Sequence, residues 1–480
     1  MIDDIIKERI KKVKKLRQLE INPYPEKTER QFRVSEALAH FSLWTKNKKV
    51  ITLAGRIQAI REHGGVIFAD LEDESGKIQL LFKKDILGDK KMKFLVDFLD
   101  RGDFWEAKGI LLLTKRGEKS LLSKDFRLLA KNIRPLPKSW YGLEDVEVRF
   151  RRRYLDLLEN PEVKKRFVLR SRIVAFIREF LNKKEYLEVE TPILQSVYGG
   201  ATARPFITQL NALKIKLYLR IAPELYLKRL LVGGFEKIYE IGKCFRNEGV
   251  DREHNPEFTM LELYSAYQTR DDLMKLTQDL FQAIAKKFQK EIPSTNFLLK
   301  KRWRKVSLEN FLETETGLNF QSSLREWKKK AKELDIPLSK GKSKWNLIDD
   351  VFKKYRHSIK EPTFIIDQPV ELSPLAKRKS TNPKETARFE LIIKGWEVVN
   401  AFSELNDPLD QRERFKEQAV LRKKGDLEAH PQDTDFVEAL EYGMPPAAGL
   451  GIGIDRLIAI LTDAPSLKEV IFFPFMKPRK

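Results

Sequence analysis

Short runs in which apolar and polar residues alternate recur between Val50 and Pro137. Alternation with a period of two is typical of half-buried strands, and a turn-forming cluster from Asp73 to Gly76 separates two of these runs. Five or so such strands within about 90 residues predict a small closed β-barrel, which we place at residues 48–137.

The charge of the chain and the pattern of this barrel point to a nucleic-acid partner. The 480 residues include 92 lysines and arginines against 70 aspartates and glutamates, a net charge of +22. Such an excess attracts polyanions, although a lysine-rich proteome would also produce it. Barrels that bind oligonucleotides present aromatic and polar side chains on one strand face, and Phe68 and Gln79 are the candidates here. The periodicity also fits Phe68 as a core residue.

The segments on either side of the barrel predict a helical and a mixed region. Residues 1–47 carry apolar residues at helical spacing with lysine and arginine between them. This basic segment either contacts nucleic acid or packs on its neighbour as an amphipathic helix. Proline and glycine mark a linker over 138–160, and residues 161–480 mix strands and helices. Further helices are predicted over 161–184, 270–289 and an insertion at about 320–360.

Cysteine content and hydropathy exclude several classes of protein. Cys244 is the single cysteine, so an internal disulfide and a cysteine-based zinc site are excluded and a reducing compartment is expected. No apolar run reaches the ~18–20 residues of a membrane span, and the first residues lack the apolar core of a signal peptide. The P-loop pattern is also absent. We therefore expect a cytoplasmic protein with no membrane segment.

Two predicted strands, Ile238–Glu248 and Glu257–Tyr267, carry a dense set of charged side chains. Strand geometry places Arg246 and Glu248 on one face of the first strand. An arginine fork suits phosphate or carboxylate, and charges seldom gather on a covered face unless they bind something. The alternative is a structural arginine–glutamate network on an exposed sheet. The second strand presents, on a shared face, Phe258, Met260, Glu262 and Tyr264.

A predicted hairpin with its turn at Lys394-Gly395 brings two glutamates together. In its register Ile392 pairs with Glu397, so Glu390 and Glu397 are diagonal neighbours on one face. Two converging carboxylates suit Mg²⁺, which takes one or two protein oxygens and leaves its other positions to water and phosphate. The alternative is an acidic strand in solvent.

Three residues that follow in the same strand have the opposite parity to Glu397. Asn400, Phe402 and Glu404 reach the face of Glu397 only if a bulge lies between residues 397 and 400. We predict that bulge.

Glycines alternate in the run from Gly449 to Gly453 and leave one strand face bare. A flat ligand could lie against that backbone, and Arg456, at the predicted start of a helix, would reach an anionic group. Close packing against the bare strand would also explain the glycines, but it would not explain the arginine.

Several stretches resemble the signature motifs of class II aminoacyl-tRNA synthetases. FRNEG…HNPEFTMLELY (Phe245–Tyr264) resembles the second motif, GLGIGIDR (Gly449–Arg456) the third, and ETPIL (Glu190–Leu194) the first, which builds the dimer interface. Within this class, three stretches look like lysyl-tRNA synthetases: GGATARPF (Gly199–Phe206), IAPELYLKRL (Ile221–Leu230) and NAFSELND (Asn400–Asp407). We expect the bacterial type, since no long basic extension of the animal kind precedes the barrel.

The resemblance implies an α+β protein. Its parts are an N-terminal OB-type β-barrel that binds the anticodon and a class II synthetase catalytic domain with an antiparallel sheet flanked by helices. The implied activity is that of a homodimeric lysine–tRNA ligase. ATP and L-lysine give lysyl-adenylate and pyrophosphate, and lysine then passes to the 3′ end of tRNA(Lys), with Mg²⁺ as cofactor.

The resemblance also implies a role for each candidate residue, with Arg246 and Arg456 as the catalytic cations. The implied ATP-binding residues are Arg246, Glu248, His254, Asn255, Phe258, Gly451 and Arg456. The implied lysine-binding residues are Gly200, Glu224, Arg246, Glu262, Tyr264, Asn400, Phe402 and Glu404. The implied metal ligands are Glu390 and Glu397. The implied anticodon readers are Arg56, Phe68, Gln79 and Glu118.

One residue departs from the pattern that this chain resembles. Bacterial members usually have a basic residue just before the histidine of the second motif, and here Glu253 stands before His254. Arg252, one place earlier, is the expected substitute.

Three rival functions remain to be separated from this one. An aspartyl or asparaginyl synthetase shares the architecture but needs a cationic pocket, whereas Glu262 and Glu404 make this pocket acidic. A truncated relative that attaches lysine to protein lacks the barrel. An inactive RNA-binding regulator would not need Arg246 and Arg456.

Overall fold

The computed structural model describes residues 2–137, 145–338, 343–425 and 428–478. The chain divides into two compact units, residues 1–143 and 144–480. The division falls inside the linker expected at 138–160. Residues 138–144, with Gly142, lie outside the described part of the chain, whereas two short helices occupy most of 145–160.

Five strands of the first unit close into a barrel in the order β1-β2-β3-β5-β4. The strands are β1 (Val50–His63), β2 (Val66–Asp73), β3 (Gly76–Lys83), β4 (Phe104–Leu113) and β5 (Lys119–Ala130). Alternate residues point into the barrel, where Leu80 and Trp105 are fully buried. The closed OB-type barrel predicted from the alternation is therefore confirmed.

Helices precede this barrel in sequence, and one more lies between β3 and β4. They are α1 (Ile2–Gln18), α2 (Val34–Ala39), α3 (Phe41–Lys46) and α4 (Lys84–Phe98). The sequence did not reveal α4, which is interrupted at Gly88, where φ is +77°. Its apolar residues, among them Leu95 and Phe98, pack into the barrel core.

The basic helix α1 packs against the barrel. Arg9, Val13 and Leu16 are its buried residues. Lys12 Nζ lies 3.0 Å from an Asp100 carboxylate oxygen, and Arg9 donates a hydrogen bond of 3.1 Å to the Arg101 carbonyl oxygen. The packing interpretation of this helix is confirmed, and a contact of its exposed lysines with nucleic acid stays a prediction.

The second unit is built on an eight-stranded sheet in the order β12-β13-β14-β15-β16-β11-β10-β6. β12 pairs parallel with β13, and β10 with β6, while the strands between them are antiparallel. A second sheet has the order β7-β9-β8. The strands are β6 (Leu187–Glu188), β7 (Leu194–Gln195), β8 (Ile207–Leu210), β9 (Ile215–Leu219), β10 (Lys237–Phe245), β11 (Glu257–Ala266), β12 (Arg304–Ser307), β13 (Thr363–Ile366), β14 (Arg388–Ile393), β15 (Trp396–Ser403) and β16 (Ala447–Gly453).

Helices cover one face of the large sheet. Apolar residues of α7, α9 and α15 form a single core with the strand residues that point to their side, including Leu263, Leu450 and Leu391. The helices of this unit are α5 (Val146–Arg151), α6 (Arg153–Glu159), α7 (Pro161–Asn182), α8 (Glu224–Val232), α9 (Arg270–Lys287), α10 (Leu308–Thr316), α11 (Leu324–Glu333), α12 (Lys344–Tyr355), α13 (Pro408–Lys423), α14 (Thr434–Glu441) and α15 (Ile454–Leu461). Among the described residues, no helix is both long and apolar enough to span a bilayer.

Element boundaries differ from the predictions in one place that bears on function. The strand expected over Ile238–Glu248 ends at Phe245, because the Asn247 amide bonds to the Arg204 carbonyl oxygen and the Glu248 amide turns back to that of Arg246. Arg246 and Glu248 therefore lie beyond the strand, and the shared strand face predicted for them is wrong. The predicted insertion contains α11 and α12.

Candidate active site

A row of residues crosses the uncovered face of the large sheet. The strand register aligns Glu240 with Glu262, Glu262 with Gly451, Gly451 with Asn400, and Asn400 with Glu390. Cross-strand partners share a face, so this row lies opposite the apolar core. Glu262, on the predicted polar face of β11, and Glu390, in the predicted hairpin, therefore lie on the same face of one sheet.

A second row runs parallel to the first. Tyr264 pairs with Gly449, Gly449 with Phe402, and Phe402 with Arg388. A Cβ at Gly449 would lie 2.2 Å from a Glu404 carboxylate oxygen and 2.4 Å from a Tyr264 ring carbon. Close packing therefore explains Gly449.

The strand bulge predicted between residues 397 and 400 is present. Ile392 pairs with Glu397, but Leu391 pairs with Val399, so Val398 is the extra residue. The extra residue brings Asn400 into register with Glu390 and onto the face of Glu397. The predicted pair of Ile392 with Glu397 and the predicted irregularity are confirmed, whereas the pairing of Leu391 with Val398 that the same register predicts is wrong, because the bulge shifts Leu391 to Val399.

The two hairpin glutamates, Glu390 and Glu397, have pKa values that are shifted in opposite directions. Burial raises the pKa of Glu390 to about 7, and the charge of Glu397 adds to the rise. Burial also disfavours the ionised form of Glu397, but the guanidinium groups of Arg456, Arg356 and Arg388 hold its pKa at about 2. The pair thus combines one firmly ionised carboxylate with one that ionises readily near neutrality.

Three buried carboxylates and one buried ammonium form a cluster beside these rows, which we call the pocket. Lys228 Nζ lies 2.6 Å from a Glu224 oxygen and 2.5 Å from a Glu404 oxygen, with no exposure of the lysine side chain. Burial alone would lower the pKa of Lys228, but the carboxylates of Glu224 and Glu404 outweigh it and raise that pKa. Glu262 is the third carboxylate and accepts a hydrogen bond of 3.1 Å from the Tyr264 hydroxyl.

The carboxylates of this pocket are hard to ionise without a cation. Burial raises the pKa of Glu262 to about 8 and that of Glu404 well above its usual range. Burial raises the pKa of Glu224 as well. Three acidic groups that lack solvent need positive charge, so the pocket is suited to a ligand with ammonium groups.

Gly200 lies against Glu224 at the edge of this pocket. Its φ is +87°, and a Cβ there would lie 2.8 Å from the Glu224 Cβ and 2.9 Å from the Ala222 Cβ. No other residue type fits so close an approach in that backbone conformation. The predicted neighbours Gly200 and Glu224 are therefore brought together.

Arg246, Phe258 and Arg456 line the side of the site near the second-motif loop. The Arg246 guanidinium carbon lies 5.0 Å from the centre of the Phe258 ring. Arg456 is the third residue of α15, as predicted for a helix start, and donates a hydrogen bond of 2.9 Å to the Glu397 carbonyl oxygen. The second-motif loop reaches it through His254, whose Nε2 lies 3.5 Å from an Arg456 nitrogen.

Two residues of the second-motif loop that were predicted to bind ATP, Glu248 and Asn255, lie at the edge of the site. Glu248 is exposed beyond the end of β10. The Asn255 side chain donates a hydrogen bond of 2.5 Å to the Glu257 carbonyl oxygen and accepts one of 3.2 Å from the Phe475 amide. The Glu248 amide donates a hydrogen bond of 2.9 Å to the Arg246 carbonyl oxygen. The ligand roles of Glu248 and Asn255 stay predictions.

Sequence reasoning missed three charged residues of the site. Lys228 lies one helical turn after Glu224, and that i,i+4 spacing could have revealed it. Arg388 shares a face with Glu390, binds its Oε1 at 2.6 Å and donates to the Asn400 side chain at 3.1 Å. Arg356 arrives from α12 and had no local signal.

The four residues predicted to read the anticodon lie on the barrel unit. Phe68 is half-buried between the core residues Ile67 and Ala69, so it faces outward, and the alternative of a core role is wrong. The Gln79 side-chain oxygen accepts a hydrogen bond of 2.9 Å from Ser120.

The remaining two barrel residues differ in exposure. The Arg56 guanidinium carbon lies 4.3 Å from the centre of the Phe104 ring, and Arg56 donates to the Gly102 carbonyl oxygen at 2.9 Å. Glu118 is exposed in the turn before β5. Sequence reasoning missed Asp70, which is paired with Gln79 in the register and binds Arg61 and Lys77 at 2.8 and 2.7 Å.

Comparison with known families agrees with both units. Residues 145–477 match the model of the tRNA synthetases class II (D, K and N), and residues 51–136 match that of the OB-fold nucleic acid binding domain. The chain therefore belongs to the class II tRNA synthetases, with an anticodon-type barrel ahead of the catalytic domain.

Full-length relatives narrow this class. The lysine–tRNA ligase of Carboxydothermus hydrogenoformans is 50% identical over 486 residues, covering 100% of this chain and 99% of the relative. Those of Syntrophomonas wolfei and Thermotoga maritima are 46% and 45% identical, with 100% of this chain and 98% and 97% of the relatives covered. Within the class, the chain belongs to the lysine–tRNA ligase family.

Proposed function

We propose that this chain activates L-lysine with ATP, releasing pyrophosphate, and transfers lysine from the lysyl-adenylate to the 3′ end of tRNA(Lys). The observation that carries the choice of amino acid is the buried cluster of Glu224, Glu262 and Glu404. If all three are ionised, the charge is −3, and Lys228 reduces it to −2. The two ammonium groups of lysine would restore neutrality, whereas a neutral or acidic side chain would leave a carboxylate unpaired at a cost of about 1–3 kcal/mol or more.

In this proposal the pocket reads both ends of lysine. Glu224, with the backbone of Gly200, takes the α-ammonium, and Asn400 takes the carboxylate together with Arg246. Glu262, Tyr264 and Glu404 enclose the ε-ammonium. The apolar stem of the substrate lies along Phe402. These assignments are supported by the two rows of the sheet, which align Glu262 with Asn400 and Tyr264 with Phe402 through one glycine each.

The ATP side of the site adjoins that pocket. Phe258 offers a ring face to adenine, Arg246 lies beside it, and Arg456 and His254 are placed for the outer phosphates. We assign Gly451, Glu248 and Asn255 to ATP as well. The lysine carboxylate is already ionised, so its attack on the α-phosphorus needs no general base. Arg246 and Arg456 then act by orienting the phosphates and stabilising the charge that develops on them.

Glu390 and Glu397 fit a magnesium ion. Carboxylate oxygens are its preferred ligands, and the mutual repulsion that raises the pKa of Glu390 is one that a cation between the two would relieve. Among the described residues there is no group of three or more potential ligands, so water and phosphate would supply the other positions. The ion would neutralise phosphate charge when bound.

The barrel is the proposed binding site for the anticodon. Phe68 would stack on a base, and Arg56, Gln79 and Glu118 would hydrogen-bond to base edges. The net charge of +22 supports a polyanionic partner such as tRNA. The cytoplasm, where charged tRNA is consumed, is the proposed location.

We propose a homodimer, which size-exclusion chromatography with light scattering would test. Its support is a set of exposed apolar residues in the first motif and the small sheet. Their exposed fractions are Ile193 44%, Leu194 49%, Ile207 62% and Ile215 42%.

Exchange of labelled pyrophosphate into ATP tests the central proposal. We expect exchange that depends on lysine and is lost in Arg246→Ala, because the α-phosphate and the carboxylate then lose their shared cation. Exchange driven by aspartate or asparagine would reject the assignment of lysine. The absence of exchange with all three would favour an RNA-binding regulator.

A further inference from the structure

Arg356 links two parts of the site that the sequence does not connect. It follows α12, at the end of the insertion, and is 6% exposed. One terminal nitrogen of its guanidinium donates a 3.2 Å hydrogen bond to Glu253 of the second-motif loop, and the other donates a 3.2 Å bond to Glu397 of the hairpin. A single buried cation thus bridges the loop and the hairpin.

The position of Arg356 is fixed from the hairpin side. A Cβ at Gly395, the hairpin turn, would lie 3.0 Å from the Cα of His357. The Lys394 amide also donates a 3.2 Å hydrogen bond to the Lys360 carbonyl oxygen. The segment that carries Arg356 is therefore held against the tip of the hairpin, which keeps the guanidinium beside Glu397.

The loop side has its own internal order. The Asp251 carboxylate accepts hydrogen bonds of 2.7 Å from the Glu253 amide and 2.8 Å from the His254 amide. This turn fixes His254 relative to Glu253. An ion pair that holds Glu253 therefore also fixes the position of His254 relative to Arg456. The His254 Nε2 lies 3.5 Å from an Arg456 terminal nitrogen.

Among the described residues, the Arg356 guanidinium also has an unpaired donor, which a purely structural bridge does not require. Its Nε is buried and has no hydrogen-bond partner in the part of the chain that the structure describes. The guanidinium therefore combines two ion pairs with a spare donor in a region where Arg456 also faces Glu397, at 3.7 Å. The two arginines and the two glutamates that they face balance in charge, so the spare donor, rather than a surplus of charge, is what suits a polyphosphate oxygen.

We propose that Arg356 is a positioning residue for ATP, which holds the second-motif loop over the triphosphate by its ion pair with Glu253. The insertion thereby serves the activation step, although it lies outside the signature motifs. In this role Arg356 acts through Glu253 and His254 and leaves the lysine pocket unaffected. The inference rests on the proposed lysine–tRNA ligase activity.

The test compares the KM for ATP with the KM for lysine in pyrophosphate exchange by the full chain. We expect Arg356→Ala and Glu253→Gln each to raise the KM for ATP about 10-fold, with the KM for lysine changed less than about 2-fold. The double variant should be no worse than Arg356→Ala, because both changes remove the same contact. Arg302→Ala, at an exposed arginine, is the matched control.

A rescue variant separates positioning from general damage. Glu253→Arg combined with Arg356→Ala places a guanidinium on the loop within reach of Glu397, and it should recover part of the affinity for ATP. Trypsin cleavage after the exposed Arg252, followed by mass spectrometry, should be faster in Arg356→Ala than in the native protein. Thermal unfolding identifies a variant that has lost its fold.

Four outcomes would overturn the proposal. A native KM for ATP in Glu253→Gln, with Arg356→Ala impaired, would show that Arg356 acts through Glu397 alone. An equal rise in both KM values would point to damage to the whole site. No lysine-dependent exchange by the native protein would overturn the proposed function together with this inference, whereas native exchange with unchanged variants would overturn this inference alone.

Discussion

The ammonium of Lys228 and a carboxylate oxygen of Glu404 lie 2.5 Å apart, and neither side chain is exposed to solvent. Lys228 also binds Glu224, so one residue of the chain holds two carboxylates that we assign to the two ammonium groups of the substrate. The pocket is thus assembled around an ammonium before any ligand enters. The carboxylates are positioned by an ammonium group of the chain, which is the same kind of group that we propose they bind in the substrate.

Replacing Lys228 with methionine should therefore damage the pocket itself. Two buried carboxylates would lose their counter-ion, and removing one partner of a buried ion pair costs about 3–5 kcal/mol. Urea unfolding should show this loss, and the KM for lysine should rise more than the KM for ATP. Lys275→Met, at an exposed lysine, is the control. Native stability in Lys228→Met would show that the ion pair contributes nothing.

Glu404→Gln tests the site of the ε-ammonium. The amide keeps the size of the side chain but removes the charge, so we expect the KM for lysine to rise by about 10-fold or more while the KM for ATP changes little. Pyrophosphate exchange measures both constants. A similar change in the two would contradict the assigned role.

Phe68→Ala should separate the two units functionally. Phe68 faces outward from the barrel, and loss of base stacking costs about 1–3 kcal/mol per base. We expect tRNA charging to weaken by about 10-fold or more at low tRNA concentration, with lysine-dependent pyrophosphate exchange unchanged. Loss of exchange in this variant would show that the barrel serves some other purpose.

The sequence predicts the fold and the carboxylates of the site because their signals are local. Strand alternation indicated the barrel, and the parity of Glu397 against Asn400 required a bulge, which the structure places at Val398. The features that the sequence did not predict are those that depend on tertiary contacts. Arg246 and Glu248 appeared to continue a strand because their parity fits, but the Asn247 amide bonds to the distant Arg204 carbonyl oxygen and the chain leaves the sheet there.

The residues that were missed show the same limit. Arg356 lies 41 positions from Glu397 and 103 from Glu253, and no pattern within its own helix announces either contact. The helix α4 was overlooked because its apolar residues are irregularly spaced around a break at Gly88. Lys228 alone had a usable signal, its helical spacing from Glu224.

Affinity for lysine should depend on pH through Glu262. Burial raises the pKa of Glu262 to about 8, so the free protein carries a proton there at pH 7. Binding of an ammonium favours the ionised form, so the proton is released and affinity increases from pH 6.5 to 8. Titration calorimetry in buffers of different ionisation enthalpy measures that proton. Glu262→Gln should release less than the native protein, the remainder coming from Glu404 and Glu224, whose pKa values burial also raises. An equal release in this variant would assign the proton to another group.

Acid should destabilise the protein through His430. Burial lowers the pKa of His430 from 6.5 to about 4, and the nearby Lys228 ammonium adds to the shift. The unfolded chain therefore takes up a proton below pH 6.5 that the folded protein refuses, so stability is fully present above 6.5 and falls towards pH 4. The 2.5-unit gap corresponds to about 3 kcal/mol at the acid end. His430→Gln lacks this group. As the pH falls from 6.5 to 4, the unfolding free energy of the native protein should therefore fall by more than that of the variant. A difference independent of pH would show that His430 is protonated in the folded protein.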